Sequence, residues 1–127
     1  MMKLEKGVAL VITGDKGCGK STLALAVAAQ HGGHFEMRGD ELARIGTAMR
    51  DYSIDILIVN EPAEWDWLTL KSIIASEQIA IQRNGVPAGH IPTPLIIITA
   101  TTVPQSILES RRFNVCTISF NQQGEQP

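Results

Sequence analysis

The sequence predicts an α/β fold of three layers: a mostly parallel five-stranded sheet, helices on both faces, and a β-hairpin ahead of the third strong strand. Three observations support this. Val8–Thr13 is a continuous apolar run rich in β-branched residues, the mark of a strand buried on both faces, and Ile54–Val59 and Leu95–Thr99 are two further strong strands. Helical segments separate them, the alternation of a parallel sheet with right-handed crossovers. A glycine-rich turn, Gly14-Asp15-Lys16-Gly17-Cys18-Gly19-Lys20-Ser21, joins the first run to the first helix.

After that turn, the alanine- and leucine-rich Ser21–Gln30 reads as a helix stopped by Gly32-Gly33. His34–Met37 is a short, weakly patterned strand. Asp40 is placed to cap a helix that carries Leu42, Ile45, Met49 and Tyr52 on one face. The second strong strand ends at Asn60-Glu61-Pro62, where proline forbids continuation, and a helix follows from about Trp67 to Ser76. Between Gln78 and Ile91, Asn84-Gly85 and Pro87-Ala88-Gly89 separate short apolar segments, which points to a hairpin or an extended loop. Val103-Pro104 opens a short helix through about Arg111, and Asn114–Phe120 is a last strand. The expected organisation is one domain over residues 1–121 with a flexible tail, 122–127, that has no apolar side chain to anchor it.

Composition bounds the function classes. The chain has 127 residues, 44% hydrophobic and 19% charged, with a formal charge of −2; this is ordinary globular composition long enough for one core. A surface basic throughout is excluded, so contact with nucleic acid must be local or arise from several copies. Cys18 and Cys116 match no metal spacing and read as reduced thiols, which suggests the cytoplasm. Val8–Ile12 is too short to span a bilayer, and no signal peptide or membrane anchor is expected.

The glycine-rich turn matches G-x-x-x-x-G-K-[ST] with a strand before it and a helix after it, the context its mechanics require. A chance glycine loop beside a lysine is the competing explanation, and both flanks tell against it. Residues Gly14, Asp15, Lys16, Gly17, Cys18, Gly19, Lys20, Ser21 and Thr22 would then cradle phosphates with backbone N–H groups at a helix N-terminus. Lys20 would reach the β- and γ-phosphate oxygens and Ser21 would ligate Mg²⁺. The expected cofactors are ATP and Mg²⁺.

Hydrolysis needs more than binding. The run Ile56–Val59 delivers Asn60 and Glu61 to the carboxyl edge of the sheet, where ligands bind in open α/β folds. Glu61 is suited to orient or deprotonate the attacking water. Asn60 stands where many P-loop ATPases carry an aspartate facing Mg²⁺; its amide can accept from a metal-bound water but brings no charge. Thr99, Thr101 and Thr102 at the end of the third strong strand are candidate γ-phosphate sensors, although threonine is also common in strands for its β-propensity.

In their order, four blocks resemble superfamily 3 helicases, the AAA+-type motors of small DNA viruses, phages and plasmids: GDKGCGKS; ILIVNEP; LKSIIASEQIAIQR-N-G followed by HIPTPLIIITATTVP; and SRRFNVCTISF. The third block is the most specific, with Lys71, Glu77, Ile79/Ile81, Arg83, Thr99 to Thr102 and Pro104 at the family's positions. The resemblance implies a P-loop NTPase fold of the AAA+/ASCE type and oligomeric, possibly ring-forming, assembly in phage or mobile-element DNA replication. It also implies a hairpin, residues 82–90, whose Arg83, Asn84 and His90 would grip single-stranded DNA. It further implies an arginine finger at Arg111 or Arg112, acting on a neighbour's site and worth about 10³–10⁵ in rate in other NTPases. An arginine pair can also simply cap a helix C-terminus. The sequence departs from the pattern in a threonine where the sensor asparagine stands, in a hairpin without lysine, and in starting almost at the first strand. A second function class, a hydrolytically weak nucleotide-dependent module that binds a replication protein, fits the same departures. A nucleoside or small-molecule kinase would need a lid with several arginines, for which only Arg111 and Arg112 are available.

Overall fold

The computed structural model describes residues 4–44, 55–83 and 86–118. Along them run β1 (Ala9–Thr13), α1 (Lys20–Ala29), β2 (His34–Arg38), a 3₁₀ helix (Gly39–Arg44) and β3 (Ile56–Asn60). Next come α2 (Asp66–Ala75), the hairpin strands β4 (Gln78–Arg83) and β5 (Val86–Pro92), β6 (Leu95–Ala100), α3 (Gln105–Leu108) and β7 (Phe113–Thr117). Five strands pair in the order β2-β3-β6-β1-β7, every pairing parallel. The expected class is met, and the sheet is parallel throughout rather than mostly so. The strand β6, late in sequence, lies between β1 and β3, which places three carboxyl ends side by side.

The β-branched runs occupy the middle of the sheet because both of their faces are covered. One face, with Leu10, Ile12, Ile56, Ile58 and Ile97, packs on Ala24 and Ala28 of α1. The small alanines at i and i+4 share one stripe of that helix and let it approach the sheet closely. The other face, with Val11, Leu57, Val59, Ile96 and Ile98, packs on Trp67, Leu70 and Ile74 of α2. Each fully buried Leu, Ile or Val contributes about 1.5–3 kcal/mol by leaving water. Three layers result, with helices on both faces as expected.

Most boundaries fall within one or two residues of the expectations, and three differences bear on the architecture. The segment opened by Asp40 is a 3₁₀ helix over Gly39–Arg44; the expected positions Ile45, Met49 and Tyr52 lie outside the described residues. The last helix stops at Leu108, because the Ser110 carbonyl takes the Phe113 N–H and the Ser110 hydroxyl takes the Arg112 N–H at 3.2 Å, closing a turn. The last strand accordingly starts one residue early, at Phe113, whose buried ring meets Trp67 edge-on at 5.8 Å. Phe120 and the tail 122–127 lie outside the described residues.

The hairpin forms as an antiparallel pair, with Ile79 opposite Ile91 and both buried in the α2-side core. Its base is fastened by the Thr93 hydroxyl, which donates to Ser76 O at 2.8 Å.

Candidate functional site

The glycine-rich loop leaves β1 at Thr13 and delivers the chain into α1 at Lys20. Gly17 and Gly19 take φ 83° and 93°, a left-handed geometry open to glycine without Cβ strain. Gly19 is the N-cap of α1 and supplies no side-chain cap. The first-turn amides, and the positive end of the helix dipole, therefore face the loop without a side-chain acceptor. Within the loop, the Cys18 N–H donates to Asp15 O at 3.1 Å. Asp15, Lys16, Ser21 and Thr22 are exposed.

Lys20 is the one loop side chain drawn inward, 7% exposed. Its ammonium donates to Gly14 O at 3.0 Å and Asp15 O at 3.1 Å, and lies 3.9 Å from Glu61 Oε2. The strand register explains the meeting. Thr13 pairs with Ala100 and Asn60 pairs with Thr99, so the loop, the end of β6 and the end of β3 share one edge.

Glu61 adopts φ 49°, which is uncommon for a side chain with a Cβ and carries strain on the order of 1 kcal/mol. Its surroundings hold it there. The Glu61 N–H donates to Thr99 O at 2.7 Å. The carboxylate accepts from the Thr101 N–H at 3.0 Å and the Thr101 hydroxyl at 3.2 Å. Of the three candidate threonines, Thr101 thus anchors Glu61. Thr99 is 1% exposed and donates to Asn60 Oδ1 at 2.7 Å, while Thr102 is exposed.

Asn60 is occupied at both ends of its amide. Opposite the Thr99 bond, Nδ2 donates to Glu36 Oε2 on β2 at 3.0 Å. The orientation follows from Glu36, because an ionised carboxylate can only accept. Glu36 is a residue that sequence reasoning missed. The signal was an acid in a short strand, and its meaning depends on β2 pairing with β3, which no local pattern announces.

The remaining expected residues stand apart from this cluster. Arg111 and Arg112 precede β7, whose Phe113 pairs with Ala9 at the start of β1. They therefore lie at the amino-terminal edge, with Arg112 Nη1 donating to Gly7 O at 3.4 Å. Arg83 sits toward the turn of the hairpin, opposite Val86, and His90 nearer its base, opposite Ala80; Asn84 lies outside the described residues. A cavity of ≈ 600 Å³ opens at the amino-terminal edge, lined by Lys6, Val8, Ile74, Glu77, Pro94 and Arg112 among others, and shares no residue with the loop. The convergence of a helix N-terminus, an inward lysine and strand carboxyl ends makes the opposite edge the stronger candidate for phosphate chemistry.

Among the described residues no group of three or more His, Cys, Asp or Glu side chains gathers to hold a metal by itself. No helix among the described residues is long and apolar enough to cross a membrane.

The sheet, its flanking helices and the loop at the carboxyl edge define a three-layer α/β domain compatible with the P-loop class. Two A-form apo structures of the NrS-1 C-terminal region are similar to it, with TM-scores of 0.71 and 0.68 at 25% and 23% identity. A further apo structure of that region has a TM-score of 0.64 at 22% identity. Each likeness covers 95% of this chain, which spans about a third of the others' length (31%, 30% and 32%). No family model matches the chain, and no curated protein matches it.

Proposed function

We propose that this chain binds Mg·ATP at the loop Gly14–Ser21 and hydrolyses it as the ATPase core of a superfamily 3 helicase-like, AAA+-type protein. The observation that carries the reading is the convergence of Lys20, Glu61 and Thr101 at one sheet edge, beside a helix N-terminus without a side-chain cap. In this reading the loop amides and Lys20 hold the phosphates and hold their developing charge. Glu61, steadied by the two Thr101 bonds, orients the water and takes its proton. Ser21 would hold Mg²⁺ with Asn60 in its outer shell, and the ion would supply neutralisation of the phosphate charge.

Oligomeric action on single-stranded DNA in replication is the finer part of the proposal, supported by the four ordered sequence blocks and by a hairpin anchored at Ile79 and Ile91. Native mass with and without Mg·ATP, together with ATPase rate with and without single-stranded DNA, tests it. The motor reading predicts assembly and stimulation. A monomer in both states with a DNA-independent rate refutes it. The second reading, a weakly hydrolytic module bound to a replication protein, is favoured by Asn60, which brings no charge to the cation. It predicts tight binding with turnover no faster than that of Glu61→Gln.

A further inference from the structure

Asn60 leaves a charge deficit at the edge of β3, and the structure contains a carboxylate that answers it. β2 pairs with β3 so that Glu36 aligns with Ile58 and Arg38 with Asn60. Glu36 and Asn60 are therefore diagonal neighbours on the α1 side of the sheet, within reach for long polar side chains. A chain of two bonds crosses three strands: Thr99 on β6 donates to Asn60 Oδ1 at 2.7 Å, and Asn60 Nδ2 donates to Glu36 at 3.0 Å. The amide suits this place because it accepts at one end and donates at the other. An aspartate at 60 would have no proton for Glu36 and would set two carboxylates within hydrogen-bonding distance, a pairing that cannot hold two full charges at ordinary cost. The nearest cation on the same strand, Arg38, is engaged by Asp40 at 3.2 Å and does not neutralise Glu36 by contact.

We propose that Glu36 is a positioning carboxylate of the cation site, supplying from β2, through the Asn60 amide and intervening water, the negative charge that β3 itself lacks. The proposal rests on the Mg·ATP reading above and assigns the cation's charge balance to a strand pair rather than to one strand end. An exposed carboxylate in this position favours a hydrated divalent ion, since Mg²⁺ retains most of its waters and is commonly held through them. Glu36 and Asn60 then belong together: exchanging their charges keeps the site, and changing one alone does not.

The test uses the full chain with a fluorescent ATP analogue, titrated in EDTA and at increasing Mg²⁺, and Mn²⁺ binding followed by electron paramagnetic resonance with the analogue present. Glu36→Gln keeps an acceptor for Asn60 Nδ2 and removes only the charge, so its melting temperature should match that of the parent. The expected result is a rise of about tenfold in half-saturating Mg²⁺ and a matching loss of Mn²⁺ affinity, with affinity in EDTA unchanged; one screened charge beside a hydrated ion is worth about that much. Asn60→Asp alone should weaken stability by crowding two carboxylates. The double variant Glu36→Gln/Asn60→Asp should recover both stability and the Mg²⁺ requirement to within about threefold of the parent. Glu64→Gln, an exposed acid removed just beyond β3, should change nothing. If Glu36→Gln leaves the Mg²⁺ and Mn²⁺ curves unmoved while nucleotide still binds, the Glu36 assignment alone is wrong. If the parent binds no nucleotide with Mg²⁺ or without it, the Mg·ATP reading falls and takes this assignment with it.

Discussion

Glu61→Gln separates the chemistry of the site from its architecture. The amide has the same shape, so Oε1 still accepts from the Thr101 N–H, and the new NH₂ can donate to the Thr101 hydroxyl that formerly donated to Oε2. The backbone stays at φ 49°. What disappears is one negative charge 3.9 Å from the Lys20 ammonium. Two unit charges at that distance attract by about 1 kcal/mol in water, and the half-exposed Glu61 side chain keeps the pair near that solvent-screened limit, where such pairs contribute about 0–1 kcal/mol. Unfolding should therefore move by no more than about 4 °C. Binding should hold or tighten by up to about fivefold, because a γ-phosphate no longer competes with Glu61 for Lys20. Hydrolysis should fall by about 10²–10⁴, the usual contribution of a positioned general base. Single-turnover phosphate release beside titration of a fluorescent ATP analogue measures both quantities on one preparation. Equal loss of binding and turnover would make Glu61 a structural support of the loop. Unchanged turnover would remove it from the reaction altogether.

Three further outcomes follow from the same geometry. Lys20→Ala removes the buried ammonium from Gly14 O, Asp15 O and Glu61, and should abolish measurable nucleotide binding in the same titration while the chain still unfolds cooperatively in urea. Gly14→Ala places a Cβ 2.5 Å from Ile118 O and 2.7 Å from Cys18 Sγ; the loop must shift, costing about 1–3 kcal/mol by urea unfolding and nucleotide affinity by at least about tenfold. Arg112→Ala subunits should be inactive alone and regain ATPase activity when mixed with Lys20→Ala subunits if the arginine serves a neighbour's site. No recovery at any mixing ratio refutes that role.

Local chemistry made the sheet legible in the sequence. Runs such as Ile56–Val59 and Leu95–Ile98 are apolar on every residue because both faces are covered, and that signal needs no knowledge of partners. The loop was legible for the same reason, since its motif, preceding strand and following helix are contiguous. Strand order is different in kind. The alternation implies a parallel sheet, but the position of β6 between β1 and β3 is a long-range fact, and with it the division of labour among Thr99, Thr101 and Thr102. Their β-propensity is alike; only the pairings Ile12↔Thr99 and Asn60↔Thr99 bury one and aim it at Asn60. Glu36 was illegible on the same ground, being significant only across a strand boundary. The early stop of α3 depends on one hydroxyl, Ser110, capturing a backbone N–H, a choice too local for helical periodicity to register.

The placement of the arginine pair bears on whether one chain can be a complete enzyme. Lys20 and Glu61 stand at the carboxyl edge of the sheet, whereas Arg111 and Arg112 enter at its amino edge, ahead of Phe113, which pairs with Ala9. The five residues of β1 between those edges rise about 3.3 Å each, a separation of about 16 Å along the strand, more than twice the reach of an extended arginine. Neither arginine can therefore touch a phosphate held by its own loop without unravelling β7. Arg112 already has a local use, donating to Gly7 O and so tying the start of β7 to the approach to β1, while Arg111 is exposed. Arg112's bond to Gly7 O ties the approach to β1 and is not the helix-end support the sequence left open, so Arg111 is the exposed candidate for action on a neighbour. An Arg111→Ala variant that is inactive alone and regains activity when mixed with Lys20→Ala subunits, beside an Arg112→Ala variant that loses stability instead, would divide them in that way. A transition-state role for Arg111 or Arg112 would require a second copy, which would make the oligomeric state in the presence of Mg·ATP part of the catalytic question rather than a separate one.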